Sequence, residues 1–254
     1  MRPALPALLL AAALLSLGAC AVRPPATDPE ALAEYRENND PAEPTNRFFY
    51  RVNDGLDTYV LRPLAVGYRD FVPGAVRRPI SNVLSNVSSP VVFANDVLQA
   101  KPRRAGDTFM RFLINTTAGA GGLFDVASGW GYPAHGTDFG LTLALWGLPD
   151  GPFLFLPVLG PSNPRDATGF AGNAVLSPFT WASFGGDTAF NLSRFGVSAL
   201  DTRERLIDPI DDIKRTALDP YATFRSLYRQ NRASEVERTR EADRATVPAW
   251  FINR

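Results

Sequence analysis

Apolar side chains recur at helical spacing in several stretches of this chain, and proline or glycine separates those stretches. After Pro102, one helical face would carry Ala105, Phe109, Phe112, Leu113 and Thr116. Comparable faces occur in 91–98, 189–200 and 221–228. Apolar positions three or four residues apart are typical of a helix packed on one side. Because alternating apolar and polar patterns are rare here, the sequence predicts an all-α fold.

Besides Asp28-Pro29, three dipeptides are interpreted as the start of a helix, namely Ser89-Pro90, Asp208-Pro209 and Asp219-Pro220. Serine and aspartate cap helix N-termini, and proline is favoured at the first helical position. Each dipeptide therefore predicts a helix start.

Two segments do not fit one pattern. Residues 139–145 alternate like a strand, although Asp138 could cap a buried helix there, so both interpretations stay open. Residues 153–159 form a short apolar run that contains Pro157, which a normal central strand would not tolerate.

The N-terminus has the features of an export signal. Arg2 precedes an apolar run from Leu5 to Leu17, which is too short for a good membrane span. The sequence Leu17-Gly18-Ala19-Cys20 resembles the bacterial lipobox. In that class Cys20 is the site of lipid attachment, and two or three long acyl chains hold a protein on a membrane essentially permanently. Ala21 rather than aspartate follows Cys20, which is similar to lipoproteins of the outer membrane.

The chain has one cysteine and one histidine. These counts exclude disulfide frameworks, cysteine-based zinc sites and iron–sulfur clusters. Twenty-six basic residues balance 26 acidic ones, which argues against a nucleic-acid binder. We therefore expect no cofactor, no metal and no nucleic-acid partner.

Composition divides the chain into four parts. We predict a lipoprotein signal peptide at 1–19, an acylated, proline-rich tether at 20–39, a single helical domain at 40–230 and a polar C-terminal tail at 231–254. A short helix at 29–37 is expected within the tether.

Three segments in order carry a resemblance to a known family. They read DPAEPTNR at 40–47, RFLINTTAGAGGLFDVA at 111–127 and GPFLFLPVLGPSNPRD at 151–166. On these motifs the sequence resembles the MlaA/VacJ family of outer-membrane lipoproteins, and the similarity covers about residues 40–225. The tail after Arg232 carries no matching motif.

The resemblance implies a ring-like helical domain embedded in the periplasmic leaflet of the outer membrane. An amphipathic channel would remove mislocalised phospholipids from the outer leaflet and pass them to the periplasmic carrier MlaC. The implied partners are phospholipid, the outer membrane and a trimeric porin, and no covalent chemistry is involved. The protein would thereby maintain the lipid asymmetry of the outer membrane.

A lipid path needs an apolar track and a polar section, and the sequence offers candidates for both. The candidate apolar track, which could instead be a core loop, comprises Phe153, Leu154, Phe155, Leu156, Val158 and Leu159. A candidate polar seam comprises Asn46, Asn53 and Asp57, although hydrogen bonds between elements would explain these residues equally well. Gly119, Gly121 and Gly122 are a candidate hinge or, alternatively, the end of a helix.

Two other functions stay open. A serine esterase or phospholipase could use Ser162, His135 and an aspartate, but no G-x-S-x-G elbow surrounds Ser162. His135 lies in a glycine- and proline-rich loop, which predicts a surface residue. A passive structural lipoprotein would need only the tether and the anchor.

Overall fold

The computed structural model describes residues 39–183 and 185–241, together with positions 27, 28 and 30. The predicted signal peptide, Cys20, nearly all of the tether with its predicted helix, and residues 242–254 lie outside the described residues. Among those described, the elements are α1 (Glu43–Leu56), a π-helical segment (Asp57–Leu61), α2 (Arg62–Phe71), α3 (Gly74–Leu98), α4 (Pro102–Thr117), α5 (Val126–Gly129), α6 (Phe139–Leu145), β1 (Leu154–Leu156), β2 (Gly160–Ser162), α7 (Pro164–Leu176), α8 (Pro178–Trp181), α9 (Asp187–Arg205), α10 (Ile207–Thr216) and α11 (Pro220–Glu241). The predicted all-α class is confirmed.

The two strands form one antiparallel hairpin within the 153–159 run and the residues that follow it. Leu154 pairs with Ser162, and Leu156 pairs with Gly160. The hairpin packs against α1 and α11, and no further strand pairs with it among the described residues. Pro157 falls in the connection rather than in a strand, where a missing N–H costs nothing.

Side-chain caps account for several helix starts. Asp138 accepts a hydrogen bond from the backbone N–H of Leu141 at 2.9 Å, so residues 139–145 form a helix and not a strand. Asp219 accepts from the N–H of Ala222 at 3.2 Å, and α11 begins at Pro220 as predicted.

The other two predicted helix starts are wrong. Helix α3 runs without interruption through Pro79 and Pro90, so Ser89-Pro90 lies inside it. Proline removes one hydrogen bond from a helix, but α3 packs along α4, α6, α7 and α9, and these contacts stabilise it in spite of that loss. Helix α10 begins at Ile207, which places Pro209 within its first turn instead of at its first position.

In the described part of the chain, the usual pattern of buried hydrophobic and exposed polar residues is partly reversed. More polar and charged residues than hydrophobic ones are buried there, whereas many large hydrophobic side chains are exposed. Tyr59, Phe71 and Trp181 are 83%, 87% and 71% exposed. Where such side chains form a contiguous patch, they mark contact with lipid or with another protein. No helix of the described residues has the length and apolarity needed to cross a bilayer.

An aromatic cluster joins the hairpin to α1 and α11. Phe153, Phe155 and Tyr221 are buried together, and Tyr50 packs against them. The Phe153 and Tyr221 rings meet edge to face, with 6.0 Å between centroids. Such pairs contribute about 0.5–1.5 kcal/mol each beyond the area they bury. The cluster therefore fixes the hairpin against the helices.

Two tyrosine–arginine pairs on α11, seven residues apart, attach this helix to buried carboxylates of the domain. Tyr221 and Arg225 both donate to Asp40, and the distance from Arg225 Nη1 to Asp40 is 2.9 Å. Seven residues later, Tyr228 and Arg232 both donate to Asp166, at 2.5 and 2.8 Å. The predicted boundary between domain and tail, at residue 231, thus lies inside α11. Arg232 is largely buried, so it belongs to the domain.

Asn39 and Asp40, just before α1, are held by hydrogen bonds to the hairpin segment, α1 and α11. Asn39 accepts a hydrogen bond from the Phe153 N–H at 2.7 Å and donates its side-chain amide to Gly151 at 2.7 Å. Asp40 is 3% exposed and also accepts from Asn46 at 2.7 Å. The junction between tether and domain is therefore bonded to α1, the hairpin segment and α11.

The candidate hinge glycines lie at the C-terminal end of α4. The N–H groups of Gly121 and Gly122 close this end by donating to the carbonyls of Thr116 and Asn115, at 2.9 and 2.7 Å. Gly121 and Gly122 have φ angles of +75° and +95°, which side chains rarely adopt. This geometry supports the alternative of a helix end, and the hinge stays a prediction.

Gly122→Ala is expected to destabilise the protein by about 1–3 kcal/mol, because it combines a positive φ with contact at a packed side chain. A Cβ at Gly122 would lie 2.7 Å from Cβ of Asn86, whereas a Cβ at Gly121 would meet open space. Gly121→Ala is the matched control and should cost only the backbone strain. Chemical denaturation of both variants measures the difference, and equal losses would contradict the packing argument.

Candidate functional site

A cavity of about 570 Å³ lies between the hairpin, the C-terminal part of α1, the π-helical segment, α9 and α10. Ligand sites typically measure roughly 300–1,000 Å³. Most of its surface is apolar, and charged side chains occupy one part of the wall. The apolar lining comprises Tyr50, Leu61, Phe155, Val158, Leu159, Pro161, Phe170, Phe195, Ala199, Leu206, Ile210 and Phe224.

The predicted apolar track is divided by the hairpin. Phe155, Val158 and Leu159 line the cavity. Phe153 points instead into the aromatic cluster and is 2% exposed, which supports the core-loop alternative for that residue. Leu154 and Leu156 are half-buried and do not line the cavity. The alternation of side chains along a strand explains why Leu154 and Leu156 point away from the face that carries Phe155.

The predicted polar seam is also divided. Asn46 is buried away from the cavity, where it donates to the Phe153 carbonyl at 3.0 Å and accepts from the Phe155 N–H at 2.9 Å. Asn53 lines the cavity and makes the same pair of bonds to Leu156 and Val158, at 2.8 Å each. Both asparagines therefore hold the hairpin backbone against α1, which is the alternative of hydrogen bonding between elements.

Asp57 is the member of the seam that forms the charged wall. Its carboxylate accepts from Arg203 Nε at 2.5 Å and from Lys214 Nζ at 2.9 Å. Lys214 also contacts Asp54 at 2.6 Å. Two cations and two carboxylates thus face one end of a mostly apolar cavity. The cavity is therefore amphipathic.

The pKa values of Asp57 and Lys214 favour their charged forms. Burial raises the pKa of Asp57, but hydrogen bonds from Arg203 and Lys214 outweigh it, and the pKa lies below its ordinary value. Burial lowers the pKa of Lys214, but Asp54 and Asp57 outweigh it, so that pKa lies above its ordinary value. Asp57 and Lys214 are therefore both ionised at neutral pH.

Arg203 has an unused donor. Its side chain is 7% exposed, and its Nη1 is buried without a hydrogen-bond partner among the described residues. A buried guanidinium nitrogen without a partner is costly. An oxyanion that entered the charged end of the cavity could accept this hydrogen bond.

The π-helical segment helps to form the cavity. Asp57 and Leu61, its first and last residues, both line the cavity. A π-helix inserts an extra residue into a helical turn and often occurs at functional sites. Here it places a carboxylate and an apolar side chain on the same wall.

The residues of the esterase alternative lie in different networks. Ser162 is buried, and its hydroxyl donates to the Asn163 carbonyl at 3.3 Å. His135 Nε2 lies 2.9 Å from the carboxylate of Asp96, and Asp96 is completely buried. The predicted surface position for His135 holds only in part: its side chain is 23% exposed, because the contact with buried Asp96 draws the ring towards the domain. The geometry gives no Ser162–His135 hydrogen bond.

Sequence reasoning missed most of the opposite wall. Phe195, Leu206 and Ile210 come from α9 and α10, where periodicity indicates helices but not which face meets a cavity. Lys214 is one of two lysines in the chain, but this rarity does not indicate where its side chain lies. The contact between Arg203 and Asp57 spans 146 residues, so local patterns could not reveal it. Among the described residues, no group of three or more potential ligands could hold a metal ion.

The comparisons with known proteins concern this same region. A family model described as MlaA lipoprotein matches residues 38–235. The chain is 36% identical over 199 residues to the intermembrane phospholipid transport system lipoprotein MlaA of Haemophilus influenzae, covering 77% of this chain and 78% of that protein. An uncharacterized protein of Rickettsia bellii is 37% identical over 203 residues, covering 80% of this chain and 78% of that protein.

A solved structure is similar over nearly its whole length. It comes from work on the structural basis for maintenance of bacterial outer membrane lipid asymmetry. The TM-score is 0.68 at 32% sequence identity, and the match covers 78% of this chain and 98% of that chain. The matched family region begins just before α1 and ends within α11, so it includes every wall of the cavity.

Proposed function

Since this chain belongs to the MlaA lipoprotein family, we propose that it removes mislocalised phospholipids from the outer leaflet of the outer membrane. The lipid would pass through the amphipathic cavity to a periplasmic carrier, the MlaC of the family, so that outer-membrane lipid asymmetry is maintained. The observation that carries this proposal is the cavity itself, in which an apolar lining ends at a charged wall.

The two parts of the cavity suit the two parts of a phospholipid. Acyl chains match the aromatic and aliphatic lining, where each buried CH₂ contributes about 0.8 kcal/mol. The headgroup phosphate matches the charged wall, where Arg203 offers its unused Nη1 and Lys214 adds positive charge. Nearby Asp54 and Asp57 keep these cations in place without a ligand.

The exposed hydrophobic side chains support seating of the domain in the periplasmic leaflet. Side chains such as Phe71 and Trp181 would be costly in water but favourable in the acyl region. On the lipobox-like sequence that ends at Cys20, the proposal includes the acylated Cys20 as an anchor. A trimeric porin is the proposed neighbour in the membrane.

The proposed role is transport without covalent chemistry. Such a protein lowers the barrier for a headgroup to leave the outer leaflet, and the carrier that removes the lipid supplies direction. The separation of Ser162 and His135 into different networks supports this choice over an esterase. The amphipathic cavity supports it over a passive structural lipoprotein, which would need no such cavity.

The test is to delete the gene in its host and measure phospholipid on the cell surface. Surface phospholipid should rise on deletion and return to normal with the wild-type gene. Cys20→Ala should produce a folded protein that does not restore asymmetry, because it lacks the acyl anchor. An unchanged surface after deletion would contradict phospholipid removal.

Ala199→Trp tests the cavity independently of the anchor. Ala199 lines the cavity, so an indole there should occupy the lipid path and remove most of the rescuing activity and most of the co-purified phospholipid. Ala189→Trp, on an exposed position of the same helix, is the matched control and should behave like wild type. Full rescue by Ala199→Trp, with normal amounts of bound lipid, would remove the cavity from the lipid path.

A further inference from the structure

A second, smaller cavity lies on the far side of the hairpin. Its volume is about 270 Å³, and its walls are the 150–153 segment, the N-terminus of α7 and one face of α11. Its lining contains four arginines, Arg165, Arg229, Arg232 and Arg240, and two acidic residues, Asp150 and Glu237.

Arg165 is the group that points most directly to a ligand. It is 9% exposed, and its one side-chain hydrogen bond among the described residues runs from Nε to Asp166 Oδ1, at 3.0 Å. The terminal nitrogens Nη1 and Nη2 therefore have no partner in the described part of the fold. A buried guanidinium normally uses its planar set of donors, so this cavity contains unused capacity for an oxyanion.

The carboxylates that balance Arg232 lie in a different place. Asp138, Asp166 and Glu235 contact Arg232 at 2.7–2.9 Å, and all three line an adjoining cavity of about 180 Å³ instead. None of them lines the arginine-rich cavity. The lining of the arginine-rich cavity itself therefore carries four cations and two carboxylates.

The N-terminus of α7 adds to that field. Asn163, the N-cap, and Arg165, the second helical residue, both line the cavity. The positive end of a helix of 13 residues favours an anion placed there. The helix end reinforces the unused donors of Arg165, which are the primary observation.

The cavities are adjacent along strand β2. Pro161 and Phe170 line both the large amphipathic cavity and the adjoining one. Ser162, Tyr228 and Arg232 line both the adjoining cavity and the arginine-rich one. One intermediate cavity therefore separates the amphipathic cavity from the one that contains Arg165.

From these observations we propose that the arginine-rich cavity is a second binding site, selective for a phosphate oxyanion, with Arg165 as its central ligand. The phosphate could belong to a lipid headgroup or to free phosphate. Its assignment to a headgroup rests on the proposed transport function, whereas the anion site itself does not. On the lipid assignment, this site holds the headgroup beside α11 after it leaves the amphipathic cavity.

The test uses full-length mature protein in a non-ionic, phosphate-free detergent, titrated calorimetrically with two probes. Inorganic phosphate and glycerophosphoethanolamine both carry the oxyanion, and neither carries acyl chains. We expect Arg165→Gln to weaken binding by at least about tenfold, since bonds to a charged guanidinium are lost. Arg165→Lys, which keeps the charge but not the planar donors, should recover only part of the affinity.

Two further variants keep the result independent of folding. Arg240→Gln changes a half-exposed cavity residue and should weaken binding severalfold without affecting stability. Arg238→Gln, on the same helix but outside this cavity, is the matched control and should bind like wild type. No binding of either probe by wild-type protein, or wild-type affinity in both Arg165→Gln and Arg240→Gln, would overturn the site.

The probes also separate the two sources. Binding of glycerophosphoethanolamine supports a headgroup site, and binding of inorganic phosphate alone supports a site for free phosphate. Failure of the transport proposal would appear in the cellular measurement of surface phospholipid and would leave these titrations unchanged. The two proposals can therefore fail separately.

Discussion

Replacing Phe153 with aspartate is expected to unfold the domain. Phe153 is 2% exposed, and its ring packs on Phe155, Tyr221 and Tyr228 with centroid separations of 6.0–6.4 Å. Truncating a buried phenylalanine costs about 3–5 kcal/mol, and an unpaired buried carboxylate adds several more. The sum approaches the roughly 5–15 kcal/mol that stabilises a typical domain. Circular dichroism and thermal unfolding of purified protein measure the effect.

Val158→Asp is the matched control in the same apolar run. Val158 is 62% exposed at the cavity, so the carboxylate remains hydrated and the fold should be retained. We expect this variant to fold but to bind less phospholipid, because it places a charge on the apolar lining. If Phe153→Asp folded as well as Val158→Asp, the assignment of Phe153 to the core would be wrong.

Removal of the Asp166 carboxylate is expected to cause the second large loss. Asp166 is 8% exposed and accepts hydrogen bonds from Arg165 and Arg232, at 3.0 and 2.8 Å. Asp166→Ala leaves Arg165 buried without its counter-charge, and breaking one side of a buried pair costs about 3–5 kcal/mol. Asp212→Asn, at an exposed pair with Arg215, should change stability by less than about 0.5 kcal/mol. Urea denaturation of both variants tests the contrast.

The same carboxylate predicts an acid dependence. Burial raises the pKa of Asp166, but hydrogen bonds from Arg232 and Tyr228 outweigh it, so the pKa in the fold lies below the ordinary 3.8. Its stabilisation is therefore complete above the unfolded value of 3.8 and is lost as pH falls through the lower folded value. The stability gap between wild type and Asp166→Ala should be constant near neutral pH and should narrow below about pH 4. A gap that widened in acid would contradict this sign.

Local sequence features predicted the fold well where caps and periodicity agree. Asp219 marked the start of α11, and the apolar face after Pro102 marked α4. The helix start predicted at Ser89-Pro90 was wrong because the long helix α3 is stabilised by packing on its neighbours and tolerates a missing hydrogen bond. Alternation at 139–145 did not decide between helix and strand, since the short helix there is buried on most sides.

The site was predictable only in part. Val158 and Leu159 could be proposed because an apolar run near proline is unusual, and the cavity includes them. Asn46 and Asn53 could be selected as polar residues on α1, but their bonds to the hairpin backbone span more than 100 residues. The charged wall depends on similar long-range pairs, such as Lys214 with Asp57. Such contacts follow from the assembled fold and leave no local pattern.

The junction at Asn39 and Asp40 has a mechanical consequence. A pull on the chain ahead of Asn39 would be transmitted first to Asn39, which is bonded to Phe153 and Gly151, and then to the Asp40 carboxylate. Asp40 is held by Asn46, Tyr221 and Arg225. These donors come from the first and last helices of the described domain. The load would therefore be shared by two helices far apart in the sequence, and the domain would not unfold progressively from one end. Tension on the predicted tether would then be borne by α1 and α11 together, and the amphipathic cavity beside them would not have to open under load.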